Sequence, residues 1–176
     1  STDSFTFLAK EKKLKLHSTI DAMKWAWFDT DILHKIINNL FSNALKYTSP
    51  LGEITFKAFT KEDKQLVLSI TNDIENFQEK DLEKIFERFY QVQEEREGTG
   101  IGLSMIKELV KLMHGKIETK LIDVKKINFK ITLPIFENAF SSDEKTQKLK
   151  DNGVENNVEL LVTSTDTKPI ILIVDD

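Results

Sequence analysis

Three alternating glycines directly in front of a helical pattern constrain this chain more than any other feature. Residues 98–115, "GTGIGLSMIKELVKLMHG", contain four of the six glycines in the chain, and Gly98, Gly100 and Gly102 alternate with other residues. Glycine lets a backbone adopt positive φ and pass close to a ligand, and the start of a helix offers unpaired N–H groups. The pattern indicates a phosphate-binding loop, although a loop that merely leads into a core helix fits the glycines alone equally well.

Length, charge and cysteine content exclude several classes of protein. The chain has 176 residues, a net charge of −4 and no cysteine. This length predicts one well-cored domain plus a tail. The negative charge does not favour general binding to nucleic acid, and the lack of cysteine excludes a disulfide scaffold and fits a reducing, cytoplasmic setting. No apolar run approaches the roughly 18 residues that would span a membrane, so no membrane contact is expected of these residues.

Apolar periodicity predicts an α/β fold. Helical spacing predicts helices over residues 29–48, 78–90 and 100–113, and alternation predicts strands at 14–20, 53–60, 65–72, 115–122 and 127–135, with a possible short strand at 23–28. Because strands come before and after the helices, we expect a two-layer α/β sandwich. In this fold a mixed sheet of about five strands is covered on one face by about three helices.

The first of these helices carries asparagines in its interior. Asparagine is a poor helix former, yet Asn38, Asn39 and Asn43 all lie there, and Asn39 and Asn43 share a face one turn apart. An amide oxygen is a hard, neutral ligand that suits Mg²⁺ shared with phosphates. Lys46 and Tyr47 follow, offering a cation for phosphate and an aromatic ring for a base. A solvated, asparagine-rich face is the alternative interpretation.

Three stretches in this order resemble the catalytic ATP-binding domain of sensor histidine kinases, the Bergerat or GHKL-type ATPase fold. They are "DTDILHKIINNLFSNALKYT" at 29–48, "IFERFY" at 85–90 and the glycine segment at 98–115, and the resemblance covers residues 5–136. The resemblance implies ATP and Mg²⁺ as cofactors. It implies that Asn43 is a Mg²⁺ ligand and that Asn39 occupies the position of the catalytic Glu of related ATPases. It implies that Lys46 contacts phosphate and that Tyr47 packs on adenine. It also implies phosphate binding by Gly98, Thr99, Gly100, Ile101, Gly102 and Leu103.

One stretch departs from the family pattern. Where the family has D-x-G-x-G, with the Asp accepting from the adenine amine, this chain has "NDIENF" at 72–77. Asn72 replaces the Asp and can still accept from the adenine amine through its amide oxygen, more weakly than a carboxylate. Ile74 and Asn76 replace the glycines and are expected to crowd the base. This favours an alternative, a nucleotide-free pseudokinase that acts as a docking module. A reading with Asp73 in place of Asn72 would misalign the following segment.

The end of the chain changes in character. Residues 137–168 are polar and indicate an interdomain linker, with a weak apolar patch at 158–162 that would pack on the domain or add a strand elsewhere. The closing "ILIVDD", within residues 169–176, resembles the first strand of a receiver domain, which implies an incomplete Mg²⁺ pair in Asp175 and Asp176. A kinase domain followed by a receiver implies a hybrid histidine kinase.

The resemblance also implies a mechanism and partners. The domain, residues 1–136, would bind Mg-ATP and donate the γ-phosphoryl group to a histidine on an upstream dimerisation domain, for relay to a receiver aspartate. None of the three histidines, His17, His34 and His114, has the sequence context of that phospho-acceptor, so we expect the acceptor to lie outside this chain. The longer protein would be a homodimeric, membrane-anchored sensor with this part in the cytoplasm.

Overall fold

The computed structural model describes residues 2–22, 26, 29–92, 99–136 and 139. Several sequence predictions lie outside this range. They are the possible strand at 23–28 apart from Ala26, the glycine Gly98, the linker at 137–168 apart from Ala139, and the receiver-like end with Asp175 and Asp176.

The structure confirms the predicted α/β class with a mixed five-stranded sheet. In chain order the elements are α1 (Thr2–Glu11), β1 (Lys15–Ile20), α2 (Thr30–Tyr47), β2 (Glu53–Lys61), β3 (Gln65–Asp73), a 3-10 turn (Glu79–Glu83), α3 (Gly102–Leu112), β4 (Lys116–Asp123) and β5 (Lys126–Pro134). The strand order is β1-β2-β3-β5-β4. The pair β1–β2 is parallel, and the other three neighbouring pairs are antiparallel.

The hydrophobic core lies between the sheet and the helices. Alternation along β2, β3 and β5 sends one set of apolar side chains to the helix side, where Ile54, Leu68 and Ile131 are almost fully buried. Phe41 of α2 is 1% exposed; its ring stacks on Phe5 of α1 at 4.6 Å and lies 4.9 Å from Phe56 of β2. This packing fixes α2 against the sheet and so positions the asparagines on its other side.

Two helical features differ from the sequence prediction. The prediction of a helix over 78–90 is wrong, because only Glu79–Glu83 is helical, as a 3-10 turn. The carboxylate of Asp81 accepts from the Gln78 N–H at 2.8 Å and from the Tyr90 hydroxyl at 2.8 Å, which closes the segment into a compact turn. Phe89 then takes a left-handed φ of 69°, which no helix continues through. The helix α1 was not expected, and its buried Ala9 and stacked Phe5 show that tertiary packing holds it.

Among the described residues, no helix combines the length and the apolar character needed to cross a membrane.

The N-cap at the start of α2 can be tested by substitution. Asp29 occupies the N-cap position, and its Oδ1 accepts from the Ile32 N–H at 3.0 Å. We expect Asp29→Ala to lower the free energy of unfolding by about 1 kcal/mol, because one N–H of the first turn loses its acceptor. Asp31→Ala, which removes a carboxylate of the first turn but no cap, should cost less. Urea unfolding of both variants checks this, and an equal effect of the two would contradict the assignment.

Candidate functional site

A cavity of about 250 Å³ opens between α2, the end of β3, the beginning of β5 and the loop that enters α3. The sequence-predicted residues in its wall are Asn39, Asn43, Lys46, Tyr47, Asn72, Thr99, Gly100, Gly102 and Leu103. Ile101, also expected at the site, is absent from this wall, and its side chain is 38% exposed. One concave surface therefore gathers residues from three separate stretches of sequence.

Two asparagines of α2, Asn39 and Asn43, line the cavity. The Nδ2 of Asn39 donates to the Lys35 carbonyl oxygen one turn earlier, at 2.7 Å, so its remaining polar atom is Oδ1. A Cβ added to Gly102 would lie 3.3 Å from this Oδ1, so the carbonyl of Asn39 faces the start of α3. In the described part of the chain the Asn43 side chain makes no hydrogen bond. Both amides can therefore supply an oxygen to a ligand without first losing a protein partner.

The last turn of α2 places a cation and an aromatic ring together in the wall. The Lys46 Nζ donates to the Tyr47 hydroxyl at 3.0 Å and lies 4.7 Å from the centre of the Tyr47 ring. The contact holds the ammonium beside the ring, within the cavity wall. These two side chains offer a positive charge and a flat apolar surface next to each other.

The loop into α3 is built around a backbone contact that needs glycine. Gly100 has a φ of 66°, and its carbonyl oxygen accepts from the Phe89 N–H at 3.0 Å. An added Cβ at this position would lie 2.6 Å from the Phe89 carbonyl carbon. The glycine thus allows the loop to close against the end of the segment that carries Tyr90.

The N-terminus of α3 lacks a side-chain cap. Ile101 is the N-cap residue and makes no side-chain cap hydrogen bond, and the first turn contains no acidic residue. The first N–H groups of a helix have no partner within the helix, and the helix dipole places positive potential there. Since Gly102 and Leu103 of this first turn line the cavity, the arrangement suits an anion such as a phosphate.

Asn72 lines the cavity beside the end of α2. It lies at the end of β3 and is 3% exposed, and its Nδ2 donates to the Asp73 carbonyl oxygen at 2.9 Å and to the Thr48 Oγ1 at 3.2 Å. Asp73 points to the other side of the sheet, where its carboxylate accepts from the Glu53 N–H at 2.8 Å. The geometry therefore places Asn72, and not Asp73, at the cavity.

The replaced glycines have different consequences. Ile74 is buried and forms part of the cavity wall, and the cavity remains beside it. Asn76 does not line the cavity, and it has a φ of 56°. Asparagine is the non-glycine residue that enters this left-handed region most readily, so the turn keeps a conformation that glycine would also adopt. The expected crowding by Asn76 is not observed.

A tyrosine that the sequence analysis did not assign to the site also lines it. The Tyr90 hydroxyl donates to the buried carboxylate of Asp81, and burial, followed by the interaction with Asp81, raises the pKa of Tyr90. The hydroxyl is therefore protonated and acts as a donor at neutral pH.

Other wall residues that were not predicted are Ser42, Glu75, Phe77, Ile85, Gln91, Val92, Ile127 and Phe129. Two of them, Ile127 and Phe129, belong to the core strand β5, which gives them no separate sequence signal.

The oxygen-bearing side chains of the cavity fit Mg²⁺ only together with a bound ligand that supplies further oxygens. The described residues contain no group of three or more His, Cys, Asp or Glu side chains able to hold a metal ion. Mg²⁺ is commonly bound through one or two protein oxygens together with substrate phosphates and water. A single amide oxygen such as that of Asn43, beside a phosphate-binding helix N-terminus, matches this mode.

Comparison with known proteins agrees with the fold. The family model described as "Histidine kinase-, DNA gyrase B-, and HSP90-like ATPase" matches residues 28–137. The chain is 36% identical over 114 residues to the sensor histidine kinase WalK of Bacillus subtilis (strain 168), which covers 62% of this chain and 19% of WalK. It is 30% identical over 128 residues to the heme sensor protein HssS of Staphylococcus aureus (strain JH9), which covers 73% of this chain and 28% of HssS.

Solved structures show the same fold. The mycobacterial sensor histidine kinase MprB has a TM-score of 0.66 at 20% identity, covering 76% of this chain and 92% of that one. Full-length ShkA in complex with AMPPNP has a TM-score of 0.66 at 21% identity, covering 76% of this chain and 28% of that one.

The ATP-binding fold and its cavity define a catalytic domain of the kind that sensor histidine kinases carry. The chain belongs to the family of histidine kinase-, DNA gyrase B- and HSP90-like ATPases. It spans between about a fifth and about a third of the length of the curated relatives that it matches first.

Proposed function

We propose that this domain binds Mg-ATP and donates the γ-phosphoryl group to a histidine of an upstream dimerisation domain in a longer, homodimeric sensor kinase. The observation that carries the proposal is the cavity itself. Amide oxygens of α2, the uncapped start of α3 and Asn72 line one cavity. Its polar groups suit phosphates, and its apolar wall residues, such as Ile74 and Ile127, suit a base.

Each group has a distinct part in the proposed complex. The N–H groups at the start of α3 and the Lys46 ammonium bind the phosphates, and the Tyr47 ring packs on the base. The Asn43 amide oxygen holds Mg²⁺, which when bound neutralises phosphate charge. Asn39 offers no carboxylate to activate water, and this favours transfer to another group over hydrolysis. The domain supplies positioning and charge stabilisation, and no covalent intermediate forms on it.

The transfer step is an in-line displacement at the γ-phosphorus. A ring nitrogen of the upstream histidine forms the new P–N bond, and the bond from phosphorus to the β–γ bridging oxygen breaks, so that ADP leaves. In the hybrid arrangement that the closing residues suggest, an aspartate of the following receiver then takes the phosphoryl group. Asp175 and Asp176 would contribute to the Mg²⁺ site of that receiver, in the cytoplasmic part of a membrane-anchored protein.

Labelling of the longer protein tests this proposal. Incubation with ATP labelled at the γ-phosphate should give a protein-bound label of which a part is stable to alkali and labile to acid, as expected of phosphohistidine, while label relayed to an aspartate is labile to alkali. A label that is stable to acid, or no protein label in a preparation that binds ATP, would contradict the kinase proposal while leaving nucleotide binding intact.

A further inference from the structure

We infer that Thr48 is a positioning residue that fixes the amide of Asn72, so that the Asn72 Oδ1 reads the exocyclic amine of a 6-aminopurine. The inference rests on the proposed function, because it concerns the base end of the same cavity. It assigns the selection of adenine to a hydrogen-bonded pair, Thr48 and Asn72, that joins the end of α2 to the end of β3.

The orientation of the Asn72 amide follows from its partners. The Asp73 carbonyl oxygen can only accept a hydrogen bond, so the amide group that lies 2.9 Å from it is the NH₂ group. The second amide hydrogen is directed to the Thr48 Oγ1 at 3.2 Å. Both hydrogens of the amide are thereby used, and among the described residues no donor pairs with its Oδ1.

Thr48 is itself held in place by its surroundings. It is the C-cap residue of α2, its N–H donates to the Ala44 carbonyl oxygen at 3.0 Å, and it is 6% exposed. On the other side an added Cβ at Gly52 would lie 2.6 Å from the Thr48 Cγ2, so the glycine of the following turn makes room for this side chain. The hydroxyl therefore has a fixed position from which it can accept from Asn72.

The locked amide has a chemical consequence for the base. The Asn72 carbonyl oxygen pairs with the amine of adenine, whereas the 6-oxo group of guanine or hypoxanthine would set two acceptors against each other. A carboxylate at position 72 in the same orientation would place an oxygen 2.9 Å from the Asp73 carbonyl oxygen, with no proton between them. The amide is thus the group that suits this local geometry, and its replacement of the family's Asp need not close the site.

The test compares ATP with purine riboside triphosphate, which lacks only the 6-amino group, in calorimetric titrations of the whole chain with Mg²⁺. The wild type should bind ATP about five- to tenfold more tightly, the contribution of one buried hydrogen bond. Thr48→Val removes the hydroxyl at nearly constant shape and should reduce this preference to less than about twofold, while affinity for the analogue stays the same. Thr48→Ser keeps the hydroxyl and should restore the preference.

The results of these titrations distinguish a failure of the inference about Thr48 from a failure of the proposed function. If Thr48→Val retains the full preference for ATP, or weakens both nucleotides equally, Thr48 has only a structural role and the inference is wrong. If the valine variant does not fold, Thr48→Ala is used in the same comparison. If the folded wild type binds neither nucleotide, the proposed function fails and the inference fails with it.

Discussion

Asn43→Ala is expected to weaken binding of Mg-ATP by roughly 10- to 100-fold, which is the range found when a metal site loses one of its supporting groups. The Asn43 amide lies in the cavity wall without a hydrogen-bond partner in the described residues. Its oxygen is therefore the protein ligand that we assign to Mg²⁺. Because the variant loses only this ligand, its binding of ATP in the absence of Mg²⁺ should change little.

The control for this prediction lies on the same helix. Asn38→Ala removes the same side chain from α2, but Asn38 is exposed and lies outside the cavity wall. Calorimetric titration with a non-hydrolysable ATP analogue, with and without Mg²⁺, measures both variants. Equal affinities of the Asn38 and Asn43 variants for the Mg²⁺ complex would remove Asn43 from the metal site.

Gly100→Ala is the second change with a large expected effect, and it acts through the backbone. The new Cβ would have to lie 2.6 Å from the Phe89 carbonyl carbon and 2.7 Å from the Phe89 Cα, at a φ of 66°. Backbone atoms cannot rotate away as a side chain would, so the loop must move. We expect the free energy of unfolding to fall by about 2 kcal/mol and nucleotide affinity to fall by at least about tenfold.

Gly102→Ala is the control for Gly100→Ala. Gly102 is the first residue of α3 and has no positive φ, and the nearest atom to its added Cβ is the Asn39 Oδ1 at 3.3 Å. Alanine favours a helix over glycine, so stability should be unchanged or rise slightly, even if Asn39 must shift by a few tenths of an ångström. Urea unfolding compares the two variants. A Gly100→Ala protein as stable as the Gly102→Ala protein would show that the contact with Phe89 does not constrain the loop.

The elements that the sequence predicted well are those whose own periodicity agrees with their packing. In α2 most apolar residues from Leu33 to Leu45 are buried in the core, and Asp29 marks the start of the helix by its cap. Strands β2, β3 and β5 show alternation because one face lies on the core. Such signals are local, so a single sequence contains them.

The segment around 78–90 was predicted wrongly because its local signal and its tertiary contacts disagree. Its apolar residues have helical spacing, but Asp81 binds Gln78 and Tyr90, and Phe89 pairs with Gly100 from a different part of the chain. The spacing alone contains neither contact. These hydrogen bonds, two within the segment and one to the loop before α3, override the helical preference of the segment.

In the candidate site, too, some features could be predicted from the sequence and others could not. Asparagines in a helix interior and glycines before a helix are unusual enough to be noticed in sequence, and the cavity brings both groups together. The contact of Thr48 with Asn72 joins positions 24 residues apart, and a threonine after a helix has no distinctive signal. The left-handed conformation of Asn76 likewise became clear only from the backbone.

Titration of the wild-type chain with a non-hydrolysable ATP analogue, with and without Mg²⁺, tests the central claim most directly. We expect saturable binding at a single site, with a dissociation constant in the micromolar range that rises when Mg²⁺ is removed. A well-folded chain that shows no binding at millimolar analogue in either condition would contradict the account. It would instead support a domain that acts by docking to other proteins without nucleotide.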